Sequence, residues 1–90
     1  MVKLIVGNLE YEVTRFSHRF YFNNSEDAEQ INVELKQFSD SMASDLSENF
    51  EGSGQIISDD VTYSFEGYSL DSIDYSVDDK GERTSIFLRK

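Results

Sequence analysis

The sequence predicts an α+β fold, a small antiparallel sheet of about five to six strands with one helix packed on it, as a single domain over residues 1–90. Three observations lead there. Apolar residues recur at every second position over most of the chain, the period of a half-buried strand. One central segment carries a helical stripe instead. Glycine, Asn and Asp cluster between these segments, where turns need them.

Val2 to Val6 is β-rich, and Gly7-Asn8 suits a two-residue hairpin turn. Leu9, Tyr11 and Val13 then alternate with Glu10, Glu12 and Thr14, while Phe16, His18, Phe20 and Phe22 alternate with Arg15, Ser17, Arg19 and Tyr21. The apolar parity changes from odd to even between Val13 and Phe16. A β-bulge or sharp bend at that point restores one buried face. Asn23 to Ala28 is polar and reads as a loop or a helix start.

Residues 29–38 fit two patterns. Ile31, Val33 and Leu35 alternate as in a strand; Ile31, Leu35, Phe38 and Met42 are spaced as a helical stripe. The strand is favoured because Val33 would face away from that stripe. A helix follows from about Asp40 to Phe50, with Ser39 or Asp40 at its start. Its apolar stripe is Met42, Ala43, Leu46 and Phe50, and Gly52 suits the position just past its end. Gln55–Ser58 and Val61–Phe65 are strand-like around Asp59-Asp60. Ser69 to Arg89 reads as a terminal hairpin turning at Asp78-Asp79-Lys80-Gly81.

The chain has 90 residues, no cysteine, no proline and a formal net charge of −10. A domain of this size buries roughly 60–65% of its unfolded surface, so its stability is modest. With no cysteine there is no disulfide or thiolate chemistry. Aromatic residues make up 13% of the chain, which opposes disorder despite the charge. The segment Met1–Val6 is too short for a signal-peptide apolar region, and no apolar run approaches the roughly 18 residues of a membrane span. A cytoplasmic location, with no membrane partner, is the expectation. The negative charge repels nucleic acid and phospholipid, so a charged partner is expected to be basic.

Catalytic motifs are absent from the sequence. His18 is the single histidine, and no Gly-x-Ser-x-Gly elbow, phosphate-cradling loop or dinucleotide fingerprint occurs. His18, set among aromatics, reads as a structural or surface residue rather than a base. Asp59-Asp60 and Asp78-Asp79 offer oxygen ligands to a hard cation. Neither follows a calcium-loop pattern, and adjacent Asp residues commonly bond the backbone of turns. No enzyme activity, metal or cofactor is expected.

Charge segregation is the feature that points toward function. Residues 37–79 hold no Lys or Arg and eleven acids: Asp40, Asp45, Glu48, Glu51, Asp59, Asp60, Glu66, Asp71, Asp74, Asp78 and Asp79. Most should face water, since Asp45 and Glu48 lie off the helical stripe and Asp74 and Asp78 alternate with Ile73, Tyr75 and Val77. Same-face strand residues lie about 6.8 Å apart, so carboxylates there form a line of spaced negative charge. A groove built to neutralise phosphates can accept such a line through charge-assisted hydrogen bonds. The aromatics Phe16, Phe20, Tyr21, Phe22, Tyr63, Phe65 and Tyr75 read mostly as core. Tyr68, beside Gly67, is the expected exposed anchor and joins the eleven acids as the candidate partner-binding set. The alternative that the acids serve only solubility stays open.

The small size, the acid-only segment from Asp40 to Asp79 and the αβ pattern resemble the phage-encoded acidic inhibitors that mimic nucleic acid, among them anti-CRISPR and anti-restriction proteins. The resemblance is to a class and covers no motif. It implies a non-enzymatic protein that occupies the basic groove of a host nuclease or nucleic-acid-binding effector. The acidic face itself would bind no nucleic acid. Arg15, Arg19, Arg83, Arg89 and Lys90 depart from a uniformly acidic surface and imply a two-sided molecule. The competing reading is a phage structural or assembly module that pairs through its hairpin edges, from Val2 and from Ser69.

Overall fold

A computed structural model describes residues 1–23, 26–36 and 38–90, without the side chains of residues 23, 26 and 27. The described residues form seven strands and one helix: β1 (Val2–Val6), β2 (Leu9–Asn23), β3 (Glu26–Leu35), α1 (Asp40–Asn49), β4 (Gly54–Ile57), β5 (Thr62–Phe65), β6 (Ser69–Asp78) and β7 (Gly81–Arg89). They make one antiparallel sheet in the order β5-β4-β1-β2-β3-β7-β6.

The α+β class holds, but seven strands replace the expected five to six. Residues 29–35 are strand, so Val33 sits inside rather than facing away from a helical stripe. The four-residue strands β4 and β5 each pair in the sheet. The polar stretch expected as a loop or helix start is also largely strand, with Phe22 opposite Asp27 and Tyr21 opposite Ala28. It lacks apolar alternation because it lies beyond both neighbouring strands: β1 reaches only to Val13 on β2, and β7 only to Gln30 on β3. Residues 24 and 25 of that stretch, and residue 37, lie outside the described residues.

The parity change in β2 is a bulge, with the register shifting between Val13 and Arg15. It keeps Val13 and then Phe16 and His18 on the same face. A second bulge at Asp71 does the same for Leu70 and Ile73 on β6. The inner face is built from Leu4 and Val6 of β1, Val13, Ile31, Val33 and Leu35 of β2 and β3, Ile56 and Phe65 of β4 and β5, and Ile86 and Leu88 of β7. Met42 and Leu46 of α1 close over them. Ser39 takes the N-cap position in extended geometry, although its hydroxyl caps no backbone N–H.

The sheet is strongly coiled. β5 and β2 stand three places apart, about 14 Å in a flat sheet, yet the rings of Tyr63 and Phe16 meet at 5.4 Å. Two glycines permit the tight connections. Gly52 (φ +95°) lies where a Cβ would sit 3.0 Å from the Tyr68 carbonyl oxygen, and its own carbonyl accepts from the Tyr68 N–H at 3.0 Å. Gly7 (φ +57°) opens the β1–β2 turn.

Leu46→Ala is expected to lower unfolding free energy by about 2–5 kcal/mol, the range for deleting a buried leucine. Val77→Ala, on the exposed end of the terminal hairpin, should change it by less than about 0.5 kcal/mol. Urea unfolding of both variants checks the assignment of core and rim.

Candidate functional site

Of the eleven carboxylates between residues 37 and 79, ten are exposed and Asp45 is half-buried. Among the described residues only Asp59 and Asp78 of this set have ion-pair partners. Asp59 lies 3.6 Å from the N-terminal ammonium and Asp78 3.0 Å from Arg83. The fold divides the set into three groups instead of a single line. Asp40, Asp45, Glu48 and Glu51 belong to α1 and its exit. Asp71, Asp74, Asp78 and Asp79 follow β6 and its turn. Asp59 and Asp60 occupy the β4–β5 turn, on the other side of the sheet order.

Glu66 lies in the β5–β6 connection and lines a cleft with Ser53 and Gly54, just past the exit of α1. The Gly52–Tyr68 hydrogen bond draws the β5–β6 connection against the end of α1, and Ser47, Phe50, Glu51, Tyr68 and Leu70 line a cavity of about 410 Å³ there. The last turn of α1 carries no basic residue. The partial negative charge of a helix C-terminus therefore adds to that of Glu48, Glu51 and Glu66. Asp45 lies near enough to Tyr11 to raise its hydroxyl pKa, after burial, the larger cause.

Arginines mark the outer face of the sheet. Arg15, Arg19, Arg83 and Arg89 alternate away from the core on β2 and β7. Their neighbours there are mixed: Arg15 pairs in register with Glu34, and Arg19 with Gln30, which is itself opposite Arg89. The helix side is thus anionic, and the outer sheet face is mixed in sign.

Tyr68 is not an exposed anchor. It is 6% exposed, because the Gly67 and Gly52 conformations turn it inward beneath α1's exit. Its hydroxyl enters a chain of polar groups that the sequence did not disclose. Tyr63 Oη lies 2.5 Å from His18 Nδ1, and Tyr68 Oη lies 3.0 Å from His18 Nε2 and 3.2 Å from Glu29 Oε2. A tyrosine hydroxyl has one proton. Tyr68 donates it to Glu29 and so accepts from His18 Nε2–H, leaving Nδ1 to accept from Tyr63. Lys90 Nζ closes the chain, 3.4 Å from Glu29 Oε2 and 5.5 Å from the Tyr68 ring centroid. His18 also stacks on Phe20 at 4.4 Å. Both histidine nitrogens are engaged by tyrosines, an arrangement that ties β2 to β5. His18 alternating with Phe16 and Phe20 signalled an inward-facing imidazole; nothing local signalled Tyr63, Tyr68 or Glu29 as its partners.

The inward reading of the other aromatics also needs correction at the far end of β2. Phe20, Tyr21 and Phe22 are exposed, because β3 alone runs beside them while β1 stops at Val13 and β7 at Gln30; Tyr75, on the outermost strand, is exposed as well. Among the described residues, no group of three or more His, Asp or Glu is arranged to hold a metal ion, and no helix is long and apolar enough to cross a membrane. Comparison of the chain with protein-family models, curated proteins and solved structures finds no match in any of the three.

Burial, followed by the hydrogen bond and charge of Glu29, pushes the Tyr68 hydroxyl up to about 12, and burial also raises Tyr63. An unfolded tyrosine ionises near pH 10. The folded state therefore holds its phenolic protons longer, and the resulting stability is present below about pH 10 and lost as pH rises toward about 12. Tyrosinate absorbance should show this delay, with unfolding free energy falling across the same interval. Tyr68→Phe should remove the latest-ionising phenol and cost about 1–3 kcal/mol by leaving buried partners unsatisfied.

Proposed function

We propose that this is a non-enzymatic binding protein that blocks the basic groove of a nucleic-acid-handling partner, acting through the anionic surface of α1 and its C-terminal exit. The observation that carries this reading is the outward, unneutralised placement of Asp40, Glu48, Glu51 and Glu66 around a helix whose last turn lacks any cation. Glu48 and Glu51 at the negative end of the helix oppose folding, whereas Asp40 in its first turn favours it. A cationic partner removes that opposition on binding and gains charge-assisted hydrogen bonds.

A groove evolved to bind phosphates presents Arg and Lys at regular intervals. Carboxylates on α1 and just past its end, backed by the carbonyls of that end, present acceptors of the same sign. Electrostatic steering would make association fast and dependent on ionic strength. The partner class comes from this complementarity and from the resemblance to phage-encoded inhibitors. A host nuclease or effector complex in the bacterial cytoplasm is the corresponding target. The Asp59-Asp60 turn lies on the other side of the sheet order and is not needed for this surface.

Partners captured from a bacterial lysate would be tested one by one for displacement of duplex DNA. The expected result is mutually exclusive binding that weakens steeply as salt rises. The combined variant Asp40→Asn, Glu48→Gln, Glu51→Gln and Glu66→Gln should lose at least about tenfold in affinity. The double variant Glu48→Gln with Glu51→Gln should gain up to about 1 kcal/mol in stability from relief at the helix C-terminus, whereas Asp40→Asn removes a favourable charge from the first turn. Simultaneous binding of DNA, or affinity unmoved in the folded combined variant, refutes the proposal.

A further inference from the structure

The sheet leaves three backbone edges open, and the chain treats them differently. β5 is only four residues long, too short to template much pairing. β6 is a ten-residue outermost strand with a bulge at Asp71 and carboxylates at Asp74 and Asp78. The third edge lies inside the strand order. β2 has fifteen residues, but β1 covers it only as far as Val13. From Arg15 onward its side away from β3 has no strand beside it. Among the described residues, none of the backbone hydrogen bonds outside the ladders involves this stretch.

These two long edges carry opposite charge. The stretch of β2 from Thr14 to Asn23 contains Arg15 and Arg19 and no acid; β6 contains three acids and no base. They also carry five of the seven exposed large apolar side chains among the described residues. Phe20, Tyr21 and Phe22 lie on β2, Tyr75 and Val77 on β6, with Phe22 82% and Val77 64% exposed. Val61, also exposed, flanks the β2 edge. It lines a cavity of about 430 Å³ together with Val2, Val13, Phe16, Ile56 and Tyr63.

We propose that the protein associates with copies of itself head to tail, the β6 edge of one copy adding antiparallel to the open β2 edge of the next. The occupant follows from charge and register. Arg15 and Arg19 are four residues apart, as are Asp74 and Asp78. All four side chains lie on the outer face of the sheet, since Arg15 is opposite Glu34 and Asp74 opposite Ser85. An antiparallel alignment that sets Asp74 against Arg19 brings Arg15 beside Asp78, which already pairs with Arg83 at 3.0 Å. The same alignment places Ile73 against Phe20, Tyr75 against His18 and Val77 against Phe16. All of these belong to the inner face, so both faces match without a slip, a strong condition because a one-residue shift would reverse every side chain. Val77 arrives beside the apolar cavity at Phe16.

Charge also selects this contact over a symmetric one. Pairing β2 with β2 brings arginines together, and pairing β6 with β6 brings aspartates together, each destabilising. Each edge is protected against itself and left open to the other. Such a heterologous contact propagates into rings or filaments rather than stopping at a dimer. The net charge of −10 opposes gathering of copies. At physiological ionic strength the screening length is about 8 Å, so contact pairs act with little long-range repulsion. The inference is independent of the α1 surface.

Analytical ultracentrifugation of the full chain over a series of concentrations at about 0.15 M salt tests it. The weight-average mass should rise with concentration and pass that of a dimer. Arg19→Asp and Asp74→Arg should each weaken association at least about tenfold, because each juxtaposes like charges. Mixing the two variants should restore it, since each supplies the edge complementary to the other's altered one. Circular dichroism confirms that each variant is folded, and the mixing arm depends on both being so. A wild-type chain that stays monomeric throughout overturns the proposal. So does a mixture of folded variants that fails to associate, or a dimer disturbed by Arg19→Asp but indifferent to Asp74→Arg.

Discussion

The whole arrangement depends on covering one apolar sheet face with a single short helix. Ten helical residues span about 15 Å, whereas seven strands side by side span about 29 Å. α1 cannot shield a flat sheet of that width. Coiling resolves the mismatch: the sheet folds its inner face around Met42 and Leu46 and brings β5 toward β2. The two bulges, between Val13 and Arg15 and at Asp71, keep apolar side chains on that face while the strands bend.

Coiling in turn creates the polar chain from Tyr63 through His18 and Tyr68 to Glu29 and Lys90. These residues come from β5, β2, the β5–β6 connection, β3 and the C-terminal end. Each member satisfies its neighbour, so the half-buried imidazole and phenols are held without an orphaned nitrogen. The chain ties the coiled edge to the long β2 strand. Its positions are restrictive: with both nitrogens of His18 occupied, the imidazole is better suited to holding strands together than to accepting a substrate proton.

The same geometry separates the molecule electrostatically. The acid-rich segment supplies the helix and the outer hairpin strand, whereas all four arginines fall on the outer face of β2 and β7. α1's anionic exit adjoins β6 at Ser69 and Leu70, and Phe38 before α1 stacks on Tyr75, so the helix surface borders the β6 edge. The length of β2 matters here. Because it outruns β1, it presents both an open backbone and three exposed aromatics, features that a shorter strand would have hidden within the sheet.

Local pattern was enough for much of the fold. Period-two alternation located β1, β2 and the terminal hairpin. The parity change announced the β2 bulge, and the stripe at Met42 and Leu46 located α1. These features are set by neighbours in sequence, which is why they were legible. The composition of residues 37–79 likewise disclosed an excess of outward carboxylates. It did not disclose their division into three groups, because grouping depends on strand order. Tyr68 shows the same boundary: beside Gly67 it looked like a loop residue, and only the contact with Gly52 and the reach to His18 and Glu29 turned it inward. Phe20 and Phe22 show the converse, apolar by alternation yet exposed because β3 alone lies beside them and β1 stops short. By itself the chain determined the elements and their charge, since periodicity and composition are local. Which strands are neighbours, and so which side chains meet or stay uncovered, was decided by the coiling of the sheet around one helix.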